Sequence, residues 1–387
     1  MKLIIVTALL LVVALPEFKR ASAQDLQRAN EILTKFPVID GHNDLPYQYR
    51  KIVRNQVEKL NIQASYPAIH TDIPRLRKGH VGGQFWAAYT SCNTQYKDSI
   101  RAAFQQVDVI HRFVNQYPNT FQFALTAADI ESSLKNGKIA SLIGLEGGHM
   151  IASSLAALRQ LYDLGVRYMT VTHNCNTPWA RACCDSSPWA YPGKGLNTFG
   201  EYVIREMNRL GMMVDISHVH TDTMKDVLKL TKAPVIFSHS SAEATCVHVR
   251  NVPDDVLKML PQTDAVVMIN FYNRFVNCSD FCDVNLVADN IDYIKNLIGV
   301  DYIGMGADYD GVSYVPTGLE DVSTYPTLFA ELVRRGYTEE ELGKIAQGNL
   351  LRVMKKVEKV KSELAYLPPY EEHLQPPLTD KPCRPNW

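Results

Sequence analysis

The sequence predicts an α/β fold: a (β/α)8 TIM-like barrel with an accessory strand and an extended C-terminal tail. Three observations lead to this prediction. Short apolar runs, each ending in polar residues, alternate with helical patterns, which is typical of a parallel sheet covered by helices. The length of 387 residues suits one such barrel with extensions. No composition break, internal repeat or low-complexity tract divides the chain.

Nine apolar runs are strand candidates, one more than an eightfold barrel needs. They are Val38–Asp40, Gln84–Tyr89, Phe121–Leu125, Ala140–Leu145, Tyr168–Thr172, Met212–Ile216, Val235–Ser238, Val266–Asn270 and Tyr302–Gly306. We assign Phe121–Leu125 as the accessory strand, because few residues separate it from the next run. Helical patterns lie at Ser99–Gln116, Leu155–Leu164, Phe199–Leu210, Thr221–Leu230, Ala288–Leu297 and Tyr325–Arg335. An open, doubly wound sheet is the alternative, and the lack of a GxGxxG motif after the first strand disfavours it.

Composition excludes several classes of protein. The chain has 40 basic and 41 acidic residues, a net charge of −1, which argues against a broad nucleic-acid interface. With 46% hydrophobic and 21% charged residues, it is neither a disordered chain, a collagen nor a coiled coil. Eight cysteines in 387 residues are too few for a miniprotein built on disulfides. A conventional hydrophobic core must therefore stabilise the fold.

The two ends of the chain predict secretion. Lys2 precedes an apolar run, Leu3–Leu15, that is shorter than the ~20 residues a spanning helix needs, and Ala21-Ser22-Ala23 fits a cleavage site. We therefore expect a signal peptide at 1–23, the barrel at 24–366 and a tail at 367–387. The tail is rich in proline and polar residues and lacks the apolar stretch of a lipid-anchor signal. The expected product is a secreted, extracellular protein.

Residues of the types that bind metals follow strand after strand at the same end. In a (β/α)8 barrel, catalytic residues come from the C-terminal ends of the strands. The residues at six of these ends are His42 with Asp44, Glu146 with His149, His173, His218, His239, and Asp308 with Asp310. A single histidine beside a strand is more often a hydrogen-bonded structural residue. Agreement at six strand ends predicts a metal site.

The ligand types predict two metal ions that share a ligand. Imidazoles and carboxylates without a nearby cysteine suit zinc, and also manganese, iron or cobalt. Each ion needs about three protein ligands plus water. The five ligand candidates are His42, Asp44, Glu146, His218 and His239. Five ligands suffice for two ions if Glu146 and a hydroxide bridge them, an arrangement suited to hydrolysis of an amide or ester.

Seven blocks of the sequence carry a family resemblance. They are Val38–Pro46 (VIDGHNDLP), Gly82–Trp86, Glu146–His149, Thr170–Asn174, Phe237–Ala242, Arg250–Asp254 and Gly306–Gly311. In unbroken order, they resemble membrane dipeptidase, also called renal dipeptidase, in the metal-dependent, amidohydrolase-like hydrolase superfamily. The resemblance implies an eightfold barrel, two zinc ions per chain, and hydrolysis of dipeptides with a free C-terminal carboxylate. The family accepts a D-residue at the second position, and some members cleave cysteinyl-glycine conjugates or open β-lactam rings.

The resemblance also implies the metal ligands. His42 and Asp44 would bind one zinc ion, and His218 and His239 the other. Glu146 would bridge the two ions. This assignment agrees with the ligand types read from the strand ends.

Other residues take roles in binding and catalysis by the same resemblance. His173 would donate to the substrate carbonyl oxygen as it becomes an oxyanion. Arg250 would pair with the substrate α-carboxylate through its planar guanidinium, which would explain a restriction to dipeptides. Asp308 would accept a proton from the bridging water or pass one to the leaving amine. Tyr272 would line the pocket.

Five residues also have a purely structural interpretation. Arg250 could be a surface residue that caps a turn, and Tyr272 a core aromatic. His149 could orient a metal ligand or only pack. Asp310 could be structural or support a ligand, and we assign His248 to the surface.

Five cysteines fit the resemblance. Cys92 with Cys175, and Cys246 with Cys278, resemble the two intrachain disulfides of the family. Cys383 in the tail resembles the cysteine that joins two subunits. A homodimer linked through Cys383 is therefore expected.

Three other cysteines depart from the family pattern. Cys183, Cys184 and Cys282 have no counterpart in it. Cys183 and Cys184 are adjacent and lie in the segment Arg181–Gly195, after the strand that ends at His173. This segment could narrow or reshape the rim of the pocket, and sequence alone does not give the pairing of the three cysteines.

Two other functions compete with a dipeptidase. A catalytically silent homologue acting as an extracellular binding protein would have lost at least one metal ligand, yet all five candidates are present. Another two-metal hydrolase, such as a phosphotriesterase or a cyclic-amide hydrolase, commonly bridges its metals with a carboxylated lysine. No lysine ends a candidate strand here.

Overall fold

The computed structural model describes residues 21–184 and 193–374. The strands in these ranges are β1 (Val38–Asn43), β2 (Val81–Tyr89), β3 (Phe121–Phe123), β4 (Ile139–Glu146), β5 (Val166–Thr170), β6 (Met213–Asp215), β7 (Ile236–Ser240), β8 (Val266–Ile269) and β9 (Ile303–Met305). The α-helices are α1 (Ala23–Lys35), α2 (Leu45–Val53), α3 (Ile73–Lys78), α4 (Ser99–Gln116), α5 (Ala127–Lys135), α6 (Leu155–Asp163), α7 (Thr198–Leu210), α8 (Thr221–Leu230), α9 (Asp254–Leu257), α10 (Leu260–Thr263), α11 (Asn273–Val276), α12 (Val284–Ile298), α13 (Tyr325–Arg334), α14 (Glu339–Gly343) and α15 (Asn349–Glu363). Cys383 and residues 1–20 of the expected signal peptide lie outside the described residues.

Eight of the strands close into a parallel barrel. Neighbouring strands follow the order β2-β1-β9-β8-β7-β6-β5-β4, and pairing between β2 and β4 completes the circle. That closing pair runs in register from Gly83 opposite Ala140 to Tyr89 opposite Glu146. In the described part of the chain, β3 pairs with β4 alone. The predicted (β/α)8 barrel with an accessory strand is confirmed.

The β4 strand shows how the sequence separates the inside of the barrel from the outside. Successive side chains of a strand point to opposite faces. Ala140 and Leu142 join an apolar cluster inside the barrel, whereas Ile143 and Leu145 join the larger core beneath the helices. Glu146 continues the inward-facing row and therefore brings a carboxylate to the C-terminal mouth.

Helix α15 packs against the interior cluster at the other end of the barrel. Leu350, Val353, Met354 and Val357 belong to this cluster and recur at the spacing of one helical face. The cluster also contains residues near the starts of several strands: Ile39, Ala140, Ile236 and Val266. The N-terminal end of the barrel is therefore filled and closed, which leaves the C-terminal mouth for the site.

The predicted strands differ from the observed ones by at most three residues at either end. The β1 strand continues from Asp40 through Asn43, since buried polar residues extend it beyond its apolar start. Helices α4 and α8 have the predicted bounds. The helices additional to the predicted ones are α1, α2, α3, α5, α9, α10, α11, α14 and α15.

The described part of the expected tail, residues 367–374, has no helix or strand. The carbonyl of Tyr370 accepts a hydrogen bond of 2.9 Å from Nη1 of Arg159 on α6. The ring of Tyr370 lies 5.7 Å from that of Tyr202 on α7. This part of the tail therefore lies along α6 and α7. Among the described residues, we find no helix with both the length and the apolar character that crossing a bilayer requires.

Candidate metal centre

The five predicted metal ligands converge at the C-terminal mouth of the barrel. Nε2 of His42 lies 3.2 Å from Oδ2 of Asp44 and 3.6 Å from Oε2 of Glu146. The other oxygen of Glu146, Oε1, lies 3.2 Å from Nε2 of His218 and 3.6 Å from Nε2 of His239. The two oxygens of Glu146 thus face the two halves of the predicted ligand set.

Burial makes this cluster suited to a cation. All five side chains are buried, and Nε2 of His42 has no hydrogen-bond partner among the described residues. Burial lowers the pKa of both His218 and His239 well below its usual range, which favours the neutral imidazole that binds metals. Buried carboxylates held this close together are costly unless positive charge compensates them. The donor set therefore fits metal ions.

Hydrogen bonds hold each ligand imidazole from its far side. The three pairs are Nδ1 of His42 with the Tyr168 hydroxyl (2.9 Å), Nδ1 of His218 with Oδ1 of Asn174 (2.9 Å), and Nδ1 of His239 with Oγ of Ser238 (2.8 Å). Such partners fix the Nδ1–H tautomer and the orientation of the ring. In each case Nε2 is left to face the centre of the cluster.

The buried carboxylate of Asp215 anchors the support of His239. Its Oδ2 accepts hydrogen bonds of 2.6 Å from the hydroxyls of Thr170 and Ser238. Its Oδ1 accepts the backbone N–H groups of Ser217 and Ser238 at 3.0 and 2.9 Å. Because Ser238 donates its hydroxyl hydrogen to Asp215, its oxygen remains free to accept from His239. Sequence analysis missed Asp215, although a carboxylate within an apolar strand was a signal.

His173 lies beside the ligands and close to Glu146. Its Nε2 is 3.7 Å from Oε1 of Glu146, and its ring centroid is 4.4 Å from that of His218. Burial, together with the positive charge of Arg250, lowers the pKa of His173 to about 3. His173 is therefore neutral over the physiological range and has one N–H to donate.

Arg250 is buried next to the predicted metal ligands. Its Nη2 donates to the backbone carbonyl of His239 at 3.2 Å, and its guanidinium lies 5.3 Å from the ring centroid of Phe275. Its Nε has no hydrogen-bond partner among the described residues. The interpretation of Arg250 as a surface residue is wrong, because the fold of the 246–250 segment turns its side chain inward.

Asp308 completes the acidic side of the cluster. Its Oδ1 lies 4.0 Å from Nε2 of His42, and its Oδ2 accepts a 3.0 Å hydrogen bond from the Asn270 side chain. Burial raises the pKa of Asp308 to about 8. Asn270, which sequence analysis did not single out, ends the strand candidate Val266–Asn270.

Tyr272 is half-buried at the start of α11. Its ring packs edge-on against Phe275 at 4.8 Å, and its backbone N–H donates to Oδ1 of Asn270 at 2.5 Å. Its described contacts are thus with residues that adjoin Arg250 and Asp308, not with the metal ligands themselves.

The remaining candidates have defined structural partners. His149 is buried and its Nε2 donates to the carbonyl of Thr90 at 3.1 Å. Asp310 accepts the backbone N–H of His70 at 2.7 Å. His248 is half-buried, and its ring lies 4.6 Å from Phe275, so our assignment of His248 to the surface is only partly correct.

Tyr89 is a further residue of the site that sequence analysis missed. It ends β2 and pairs in register with Glu146 of β4. Its ring lies 4.9 Å from the ring of His173 and 4.9 Å from that of Tyr47. The cross-strand register brings Tyr89 here, and this register is not visible in the sequence.

Two disulfides connect the loops around the site. Cys92 bonds to Cys175, and Cys246 bonds to Cys278, as the resemblance implied. Each disulfide ties a loop of the mouth to a neighbouring one, and Cys175 lies two residues after His173.

The three cysteines that depart from the family pattern are free thiols in the structure. Cys282 is buried, whereas Cys183 and Cys184 are half-buried. Residues 185–192 of the segment Arg181–Gly195 lie outside the described residues.

A (β/α)8 barrel whose C-terminal mouth carries this cluster of histidines and carboxylates defines a metal-dependent hydrolase. The model of one family, membrane dipeptidase (peptidase family M19), matches residues 26–366. Dipeptidase 3 of Rattus norvegicus is 45% identical over 338 residues, which cover 87% of this chain and 68% of that protein. The chain therefore belongs to the membrane dipeptidase family. It is a metallodipeptidase, and the predicted family and enzyme class are confirmed.

Solved structures agree with this assignment. A metallopeptidase from Rhodobacter sphaeroides, liganded with a phosphinate mimic of the dipeptide L-Ala-D-Ala, is 25% identical with a TM-score of 0.76. The similarity covers 83% of this chain and 99% of that one. A dipeptidase of family M19 is 26% identical, also with a TM-score of 0.76, over 83% of this chain and 98% of that one.

Proposed function

We propose that this chain is a zinc-dependent dipeptidase. Its substrates would be dipeptides with a free C-terminal carboxylate, including those with a C-terminal D-residue and cysteinyl-glycine conjugates. One observation carries the proposal: the two carboxylate oxygens of Glu146 face His42 on one side and His218 with His239 on the other. A dipeptide mimic bound to the Rhodobacter sphaeroides metallopeptidase supports the substrate class.

The ligand set would divide between two zinc ions. His42 and Asp44 would hold one ion, His218 and His239 the other, and Glu146 would be shared. Two zinc ions there would supply an activated bridging hydroxide at neutral pH and polarise the scissile carbonyl. The hydrogen bonds to the three Nδ1 atoms pre-orient the imidazoles for this task.

Arg250 would select the substrate by its carboxylate. A guanidinium binds a carboxylate through two parallel hydrogen bonds. One edge of Arg250 already bonds to the His239 carbonyl, and its unpartnered Nε leaves donor capacity for a ligand. Arg250 is buried and contacts His239, one of the proposed zinc ligands. A carboxylate bound to Arg250 would therefore lie close to the scissile bond. A dipeptide meets this condition, because its free carboxylate lies one residue from the scissile bond.

His173 and Asp308 would act on different atoms of the reaction. The neutral imidazole of His173 has an N–H to donate to the carbonyl oxygen as negative charge develops there. Asp308 is held by Asn270 with its second oxygen directed at His42, within the ligand cluster. From this position it would move a proton from the attacking water to the leaving amine. Tyr272 would line the pocket beside these groups.

The sequence supports a further part of the proposal. A signal peptide at 1–23 would direct the chain to the secretory pathway, with the barrel at 24–366 and the tail at 367–387. Cys383 would link two subunits in a homodimer. Electrophoresis of the secreted protein with and without reductant tests this linkage: a dimer that becomes a monomer only on reduction supports it. A reductant-independent monomer would contradict it, and Cys383→Ser serves as the matched variant.

A combined assay of metal and activity tests the proposed function. The purified protein is incubated with Gly-D-Phe, and metal is counted on the same sample by elemental analysis. We expect cleavage that a chelator abolishes and zinc restores, with about two metals per chain. Absence of cleavage with two metals bound would contradict the proposed substrate class. Fewer than two metals in a cleaving sample would contradict the shared-ligand arrangement.

A further inference from the structure

Two adjacent cysteines, Cys183 and Cys184, take no part in the function proposed above. Their sulfur atoms are 2.8 Å apart, closer than two sulfur atoms in van der Waals contact. Both residues are half-buried. The other free cysteine of the described residues, Cys282, is buried, and its Sγ lies 3.6 Å from the carbonyl oxygen of Asp283. The pair therefore differs from Cys282 both in partner and in access to solvent.

The pair adjoins the loop that carries a metal ligand. The backbone N–H of Cys183 donates to the carbonyl of His218 at 2.8 Å. The preceding residue, Ala182, forms an antiparallel bridge with Val219. Cys183 and its neighbour thus lie at the rim of the metal centre, beside His218.

We propose that Cys183 and Cys184 form a reversible dithiol–disulfide couple, a redox modification site at the rim of the metal centre. The chain positions the two sulfurs for a bond with each other, since they are already in contact and no other cysteine competes within the described residues. This proposal concerns the chemistry of the two thiols and does not depend on the proposed dipeptidase activity.

Covalent geometry indicates that such a bond would be easily reduced. Consecutive Cα atoms are about 3.8 Å apart, whereas disulfides usually join Cα atoms separated by about 4.4–6.8 Å. The two long-range disulfides of this chain meet that condition, with Cα–Cα distances of 6.0 and 5.3 Å. A bond between neighbouring cysteines is strained in comparison, and strained, accessible disulfides are the labile and regulatory ones. Cys183 and Cys184 should therefore change redox state under conditions in which the other two disulfides persist.

The oxidant for the couple is a small-molecule disulfide such as glutathione disulfide. One cysteine attacks as its thiolate, the disulfide bond of the small molecule breaks, and the first small thiolate leaves and takes up a proton. The second cysteine then loses its proton and attacks the protein sulfur of the mixed disulfide. This step forms the Cys183–Cys184 bond and releases the second small thiol. Two electrons pass to the small molecule, and two thiols appear for each bond that forms.

Formation of the Cys183–Cys184 disulfide is expected to affect the metal centre through one hydrogen bond. Joining the two sulfurs turns the peptide between the cysteines. The N–H of Cys183 belongs to the preceding peptide, which shares the Cα of Cys183 with the peptide that turns. The hydrogen bond from this N–H to the His218 carbonyl would lengthen or break. The support of a metal ligand would then weaken, so the oxidised form should lose metal faster than the reduced form.

Peptide mass spectrometry tests the covalent part of the proposal. The full chain is equilibrated with mixtures of glutathione and glutathione disulfide, quenched with acid, alkylated and digested. In disulfide-rich mixtures, the peptide that contains both cysteines should lose two hydrogens and carry no alkyl label; in glutathione-rich mixtures, it should carry two labels. Cys282→Ser should behave as the wild type, whereas Cys184→Ser should carry glutathione on Cys183. Alkylation of both cysteines in every mixture, or stable glutathione adducts on the wild-type pair, would overturn the proposal.

The rate of metal loss to a chromogenic chelator tests the link to His218. Wild-type protein should lose metal faster after equilibration in the disulfide-rich mixture. A double variant, Cys183→Ala with Cys184→Ala, should give one rate in both mixtures. Equal rates for the two wild-type forms would overturn the link to His218. Neither readout uses peptide hydrolysis, so failure here is distinguishable from failure of the proposed function.

Discussion

The two ends of the barrel are built by the same strands from opposite kinds of residue. Toward the N-terminal end, β1, β4 and β7 contribute buried apolar side chains: Ile39, Leu142 and Ile236. At the C-terminal end, the same three strands contribute His42, Glu146 and His239, which are also buried. Burial is thus common to both ends, whereas polarity changes within three or four residues along each strand.

This difference separates the residues that stabilise the fold from the residues on which metal binding and turnover depend. At the apolar end, the free energy of a side chain depends on the volume it fills, so a change there acts on unfolding. At the polar end, each buried nitrogen or oxygen depends on a partner or a metal ion, so a change there acts on metal binding and turnover. Substitutions at matched positions on one strand should therefore give different kinds of defect.

The largest expected effect is that of Glu146→Gln. This change keeps the shape of the side chain but removes the charge that two metal ions would share. We expect loss of at least one metal and a fall in kcat/KM on the order of 10³-fold or more, with the fold retained. Elemental analysis and steady-state kinetics measure both. Glu201→Gln, in an exposed ion pair with Arg205, is the control; two bound metals with full turnover in Glu146→Gln would remove the bridging role.

Leu142→Ala, on the same strand, should lower stability and leave catalysis unchanged. Leu142 lies four residues before Glu146 and is fully buried in the interior cluster. We expect the free energy of unfolding to fall by about 3 kcal/mol, with kcat per metal-loaded chain unchanged. Urea unfolding and metal-normalised kinetics check this, and Leu26→Ala, at a partly exposed position, is the control. A large loss of kcat at full metal content would contradict the separation of the two ends.

Arg250→Met should affect substrate binding but not metal. Loss of hydrogen bonds to a charged group costs about 1.5–3 kcal/mol, which corresponds to roughly a 10- to 150-fold rise in KM for dipeptides. Metal content should remain at the wild-type level. Arg250→Lys, which keeps the charge but not the planar fork, should have a KM between those of the wild type and Arg250→Met. If KM does not change in Arg250→Met, then Arg250 is not the carboxylate-binding residue.

The smallest of these effects is expected for Ser238→Ala. The change breaks the hydrogen-bonded link from Nδ1 of His239 to Asp215 and leaves the ligand itself in place. Loss of such a partner weakens metal affinity about 10-fold. Competition with a chelator measures this affinity. Ser241→Ala removes a buried hydroxyl that has no hydrogen-bond partner among the described residues, and this control should bind metal as the wild type does.

The sequence predicted the strand ends well because two simple rules act there. Catalytic residues of a (β/α)8 barrel follow its strands, and metal ligands are restricted to a few residue types. His42, Glu146 and His239 could be found from these rules, and the structure brings them together. The conformation of the 246–250 segment, which buries Arg250, was not predictable, because a loop carries no periodic pattern.

The partners of the ligands were missed for a different reason. Asp215, Asn270 and Tyr89 reach the site through the register between strands and through side-chain hydrogen bonds. Register depends on how the whole barrel closes, and pairing of β2 with β4 joins residues far apart in the sequence. A single sequence shows the residue types at each strand end but not which of them face one another.

We propose above that the mouth of the barrel holds two metal ions with Glu146 between them. The most direct measurement is a crystal structure of the zinc-loaded protein with anomalous data on both sides of the zinc absorption edge. We expect two zinc peaks, one contacted by His42 and Asp44 and the other by His218 and His239, with the Glu146 carboxylate contacting both. A single peak, or two peaks of which Glu146 contacts only one, would contradict the account.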